Sequence, residues 1–107
     1  MNKNRDLKLI IERLQPHFHR RSQVRYAILV TNDPYDHTYN FFFNEYPTAH
    51  RQRSIPLHSV TGSLTELEAL VQALRHSVNF SLEFTGFAGL RWPSSDRLIE
   101  PKRERAE

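Results

Sequence analysis

Phe41-Phe42-Phe43, within the run YNFFFNEY, constrains this chain more than any other feature. In an extended strand, neighbouring side chains point to opposite faces, so Phe41 and Phe43 share one face and Phe42 takes the other. A sheet carrying these residues therefore has an aromatic on each side. Leaving a phenylalanine in water forfeits about 1.5 to 3 kcal/mol, a large sum beside a total stability of about 5 to 15 kcal/mol. Something has to shelter Phe42, or the protein carries an apolar spot on its surface.

The neighbouring segments show what is available to shelter it. Leu7, Ile10, Ile11 and Leu14 recur at helical spacing and form one stripe, which Pro16 ends. QVRYAILVTN alternates Tyr26, Ile28, Val30 against Arg25, Ala27, Leu29, Thr31, with apolar residues on both faces as in a central strand. Asn32-Asp33-Pro34 signals a turn, and a hairpin into YNFFFNEY is the simplest connection. Arg53 to Val60 is a weaker extended segment whose Pro56 places it at an edge. Ser63 with Glu66 forms a capping box ahead of Leu64, Leu67, Leu70, Val71 and Leu74, which marks a second helix. NFSLEFTG then alternates Phe80, Leu82, Phe84 against Asn79, Ser81, Glu83, Thr85, the pattern of a half-buried, antiparallel-type strand.

The expected fold is α+β: a two-layer sandwich with two helices on one face of a three- to four-stranded, mainly antiparallel sheet, in the order α-β-β-(β)-α-β. Residues 1–100 form the single domain, and 101–107 are read as a disordered charged tail. Phe41 and Phe43 face the helices, and Phe42 and Leu29 lie on the other face among Asn40, Asn44, Arg25 and Thr31. Two covers suit Phe42. Either GFAGLRWP folds back and lays Phe87, Leu90 and Trp92 on it, with Gly86 and Gly89 supplying the bends, or another chain covers it.

Composition removes several classes of function. The sequence has no cysteine, which excludes disulfides and thiolate metal sites. No apolar run approaches the ~20 residues of a membrane span, and the amino-terminal segment lacks a signal-peptide core, so a cytoplasmic protein with no membrane partner is expected. The sequence contains no G-x-S-x-G elbow, no phosphate-binding G-x-x-x-x-G-K-[ST] loop and no H-E-x-x-H. Asp33, Asp36 and His37 have metal-ligand chemistry but occupy a turn that such residues favour anyway. No metal and no cofactor is expected.

The leading expectation is a small non-enzymatic interaction protein, acting as a subunit, adaptor or inhibitor, that binds a protein partner or a second copy of itself. Phe42 and Trp92 would be its anchors, with Leu29 and Phe87 beside them, Arg25 and Arg91 as polar contacts, and Tyr35 and Tyr39 at the rim. The alternative is an RNA- or DNA-binding regulator using Arg20, Arg21, Arg25, Arg51 and Arg53, since guanidinium groups pair with phosphates. The cations are unevenly spread: residues 1–25 hold seven against two anions, whereas residues 26–50 hold none against three. The helix, three strands, helix order resembles that of double-stranded-RNA-binding domains in topology, but their second helix starts with lysines where Glu66 and Glu68 stand here. A third expectation is a small metal-independent ribonuclease of toxin type, built from His, Arg, Tyr and Glu, which leaves no linear motif.

Overall fold

The computed structural model describes residues 1–100, so the expected tail at 101–107 lies outside the described residues. The chain runs α1 (Lys3–Leu14), a single 3-10 turn (Gln15–His17), β1 (Val24–Asp33), β2 (Thr38–Pro47), β3 (Arg53–Val60), α2 (Leu64–Ser77) and β4 (Ser81–Thr85). One four-stranded sheet has the order β3-β2-β1-β4. The fold is the α+β two-layer sandwich that the periodicities indicate. Among the described residues no helix is long and apolar enough to cross a membrane.

Each helix starts on a side-chain cap. The Asn2 side chain accepts from the Arg5 amide, and Ser63 and Glu66 close a reciprocal capping box at α2. That box also holds the Glu66 carboxyl below its ordinary value, chiefly through the Ser63 amide. The apolar stripes then bury Ile10 and Leu14 of α1 and Leu67, Leu70, Val71 and Leu74 of α2 against one face of the sheet. That face supplies Ile28, Val30, Phe41 and Phe43, all fully buried.

The hairpin register pairs Ile28 with Phe43, Leu29 with Phe42 and Val30 with Phe41, so strand parity divides the three phenylalanines as the sequence requires. β3 is an edge strand, as Pro56 indicates, and its pairing to β2 slips between Phe41 and Phe42. At this bulge Leu57 is the extra residue. The slip turns both Leu57 and His58 toward the helices: Leu57 joins the core, and His58 reaches Asp6 of α1 at 2.8 Å.

Two expectations are corrected. β4 alternates as an antiparallel strand would, yet it pairs parallel to β1 through Ala27–Ser81 to Thr31–Thr85. The helical crossover α2 returns the chain to the opposite side of the hairpin, and such a crossover is what parallel pairing requires. The segment after β4 also goes elsewhere than over Phe42. Phe87 is fully buried, stacked on Tyr39 at 6.0 Å and edge-on to Phe84 at 5.9 Å, and Trp92 packs edge-on to Phe84 at 5.5 Å. All of these contacts lie in the helix-packed layer.

That segment is fixed at three points. Gly86 adopts φ +85, and a Cβ there would stand 2.6 Å from the Asn32 carbonyl oxygen, so only glycine lets β4 turn so close to β1. Arg91 and Leu98 bridge across a tight loop. Ser94 donates to the Glu68 carboxylate through its hydroxyl (2.6 Å) and its amide (3.2 Å), tying the loop to α2. Glu68 is thus a docking group for the loop. Phe87→Ala should cost about 3 to 5 kcal/mol, as for other large aromatics removed from a core. A urea midpoint unchanged by that substitution would show that Phe87 is not a core residue.

Candidate functional site

The sheet face turned away from the helices is the first candidate surface. Its apolar part is small: Phe42 and its cross-strand partner Leu29, both half-buried and outside the core cluster, with exposed Pro56 opposite Phe42 on β3. Around this spot the face is made of amides and hydroxyls. Asn40 accepts from Ser59, and Asn44 accepts from Ser54 at 2.6 Å.

A hydrogen-bonded belt crosses all four strands beside the apolar spot. Ser54 of β3 donates to Asn44 of β2; Asn44 donates to the Tyr46 hydroxyl at 2.9 Å; and that hydroxyl donates to Glu83 of β4. To reach from β2 to β4 the phenol must pass over β1, and the residue there is Ala27, fully buried although it faces away from the helices. A larger side chain at Ala27 would block the crossing. Arg25 completes the belt, with its guanidinium 4.1 Å from the Tyr46 ring centroid and 3.5 Å from Glu83. Burial, and then the bond to Glu83, raise the Tyr46 phenol above its ordinary value.

This geometry separates the residues expected to act together. Phe42, Leu29 and Arg25 share the open face. Phe87, Trp92 and Tyr39 do not: they belong to the helix-packed layer, so they are not exposed anchors or rim groups beside Phe42. Arg91 holds the Asp96 carbonyl at 2.7 Å within its own loop. Tyr35 is 91% exposed, at the tip of the β1–β2 hairpin. Sequence parity set Asn44 beside Phe42 and Glu83 on the polar side of its strand, but Tyr46, which links them, was not singled out; the available signal was that Tyr46 shares strand parity with Phe42.

The cationic candidates converge at one end of the sandwich. Arg21, Arg51 and Arg53 line a cavity of about 420 Å³ with His50, and among the described residues Glu45 is the one carboxylate in its walls. Arg21 binds that carboxylate at 3.0 Å. Glu45 is only 4% exposed, so this pairing prevents an isolated buried charge. The Tyr26 hydroxyl, and then Glu45, raise the Arg21 guanidinium further, which keeps it a cation. Arg20 lies next to this group, above Phe18. Arg25 is set apart on the open face, neutralised by Glu83.

Two other polar clusters have structural work. Asp33 accepts from the Tyr35 and Asp36 amides at 2.9 and 3.2 Å and so closes the hairpin turn. Among the described residues no group of three or more His, Asp or Glu is placed to hold a metal ion. His58 accepts at Nδ1 from Arg13, which can only donate (3.0 Å), so its proton sits on Nε2, facing Asp6. Both ring nitrogens are occupied, and the Asp6–His58–Arg13 group clamps α1 to β3.

No family model, no curated protein and no solved structure matches this chain.

The belt makes a pH-dependent prediction. Because the folded state raises the Tyr46 pKa, it keeps the phenolic proton where the unfolded chain has released it; this contribution is complete below about pH 10 and is lost as pH rises through the raised value. Tyr46→Phe should cost about 1 kcal/mol at neutral pH and flatten the loss of stability above about pH 10. Urea unfolding of both proteins on either side of that pH measures the difference, and identical alkaline slopes would refute the assignment.

Proposed function

We propose that this protein is a small non-enzymatic interaction module whose open sheet face docks against the same face of a second copy. The observation that carries this reading is the spot formed by Phe42, Leu29 and Pro56, which lies outside the core cluster of residues 1–100, on a face where Arg25 and Glu83 neutralise each other and Asp33, at the end of β1, is engaged by the amides of the hairpin turn. The partner is argued from charge. The chain carries a formal +3, and a partner chosen by its acidity would be met by cations; this face instead presents amides, hydroxyls and an apolar centre. Such a surface suits another like itself, because two faces with an uncharged centre meet about a twofold axis without repulsion there and bring Phe42 toward its copy.

Area sets the strength. Four strands at ~4.8 Å spacing span about 15 to 20 Å, and ten-residue strands at ~3.3 Å per residue are about 33 Å long. The shortness of β4 reduces the usable face to roughly 500 Å², below the ~800 Å² per partner of standard stable interfaces. The dimer is therefore a reversible one, governed by concentration. The non-enzymatic part is supported by His58, a part-buried histidine whose two ring nitrogens are both engaged, by Arg13 and by Asp6.

Sedimentation equilibrium across a concentration series tests this. Wild type should pass from monomer to dimer, and Phe42→Asp should weaken association at least about tenfold, the effect of losing roughly 1.4 kcal/mol. Circular dichroism should show the variant folded. A wild type that stays monomeric up to the highest attainable concentration, or a Phe42→Asp protein that dimerises equally well, would overturn the reading.

A further inference from the structure

Beside the arginine-lined cavity is a second one that the open-face reading does not use. It lies where both helices end, holds about 490 Å³, and is lined by Phe18, Tyr26 and Phe80 with Arg20, Arg21 and Asn79. This volume is within the ~300 to 1,000 Å³ of small-molecule sites. The three rings form one cluster: Phe18 stands edge-on to Tyr26 at 5.0 Å and to Phe80 at 4.9 Å. All three are half-buried and none is fully enclosed, so this end of the core is reached by solvent.

Arg21 belongs to both cavities. On one side of its guanidinium is the aromatic recess; on the other are Arg51 and Arg53. One of its N–H groups is used on Glu45, and a guanidinium offers five. The lining of the arginine cavity carries three guanidinium groups against one carboxylate, which leaves an excess positive charge even with His50 neutral.

A ligand suited to both cavities has a flat aromatic part at one end and a strongly anionic part at the other. The recess also contains the amides of Gln15 and Asn79, which match a heteroaromatic edge bearing donors and acceptors better than a plain phenyl ring. Two guanidiniums beyond Arg21 exceed what a single carboxylate needs and suit phosphate, which offers several acceptor oxygens and a charge of about −1.5 to −2.

We infer that this end of the molecule binds a nucleotide unit, with the base in the Phe18–Tyr26–Phe80 recess and the phosphate between Arg21, Arg51 and Arg53. The unit can come from a free mononucleotide or from a single-stranded nucleic acid, since both present the same base and phosphate. Stacking on the aromatic recess contributes to either, and a strand adds phosphates that Arg20 can reach along its path.

The test is a titration of the full chain, followed by calorimetry and by NMR shifts of Phe18, Phe80, Arg20 and Arg21. The probes are adenosine monophosphate, adenosine, inorganic phosphate and an eight-nucleotide RNA. Adenosine monophosphate should move those signals, and adenosine or phosphate alone should bind at least about tenfold more weakly, the effect of removing one charge-assisted contact. Arg51→Gln, an exposed residue outside the core, should weaken adenosine monophosphate by a similar factor while the fold is retained. Phe18→Leu should abolish the aromatic shifts. If it unfolds, Arg20→Gln and Arg51→Gln still decide the matter. RNA binding that is tighter than the mononucleotide's and falls steeply with salt identifies a strand as the source; equal affinity identifies the free nucleotide. No shift at these residues with either ligand at millimolar concentration, or adenosine binding as well as its phosphate, overturns the inference. Neither outcome bears on dimerisation through Phe42, which is measured separately.

Discussion

Two helices have to serve a four-stranded sheet, and they can cover only one of its faces. Every other feature of the molecule answers to that shortage. The covered face takes Phe41 and Phe43 at full burial, and the segment after β4 adds Phe87 and Ile99 to the same layer instead of starting a second one. The uncovered face then has to be held together sideways. It does so with neutral hydrogen bonds from strand to strand, which leave few groups to be desolvated, and with one long side chain, Tyr46, laid across Ala27 to reach Glu83. Phe42 and Leu29 support each other as a cross-strand pair at this surface, a contact worth a fraction of full burial.

Much of this was legible in the sequence because it follows from parity. Tyr26, Ile28 and Val30 on one face of β1, and Phe41 and Phe43 against Phe42 on β2, follow from the period of two. The Ser63–Glu66 box located α2, and Pro56 located the edge strand. What parity does not encode is direction and connection. The alternation Phe80-Leu82-Phe84 is the same whether β4 runs parallel or antiparallel to β1; α2, by carrying the chain over the sheet, decides it. The bulge at Leu57 was equally hidden, since it replaces a regular alternation with two consecutive residues facing one way.

The destination of GFAGLRWP was not legible for a different reason. Its apolar residues fit either face of the sheet equally well as hydrophobic surface. The choice is made by polar groups far away in sequence: Glu68 receives Ser94, and the Asn32 side chain donates to the Gly86 carbonyl at 3.1 Å. Glu68 read as a helix-surface charge in the sequence, and only the pairing with Ser94 explains its burial. The cationic end, by contrast, is a consequence of antiparallel connection. The residues entering β1 and those joining β2 to β3 meet at one end of a meander, so Arg21 and Arg51 to Arg53 converge whatever their side chains do.

Glu45 and Tyr46 show how closely the two surfaces are joined and why they stay distinct. Adjacent in β2, they point to opposite sides: Glu45 is buried under Arg21 at the cationic end, and Tyr46 anchors the belt on the open face. Each meets an arginine, but with different results. Arg25 is offset by Glu83 on its face; Arg21 is offset by Glu45, yet Arg51 and Arg53 beside it find no further carboxylate among the described residues of the cavity wall. At physiological ionic strength the field of that excess is screened within about 8 Å. The pleat of a single strand is therefore enough to hold a largely uncharged polar face and a cationic pocket back to back, with the chemistry of each set by which carboxylate its arginine meets.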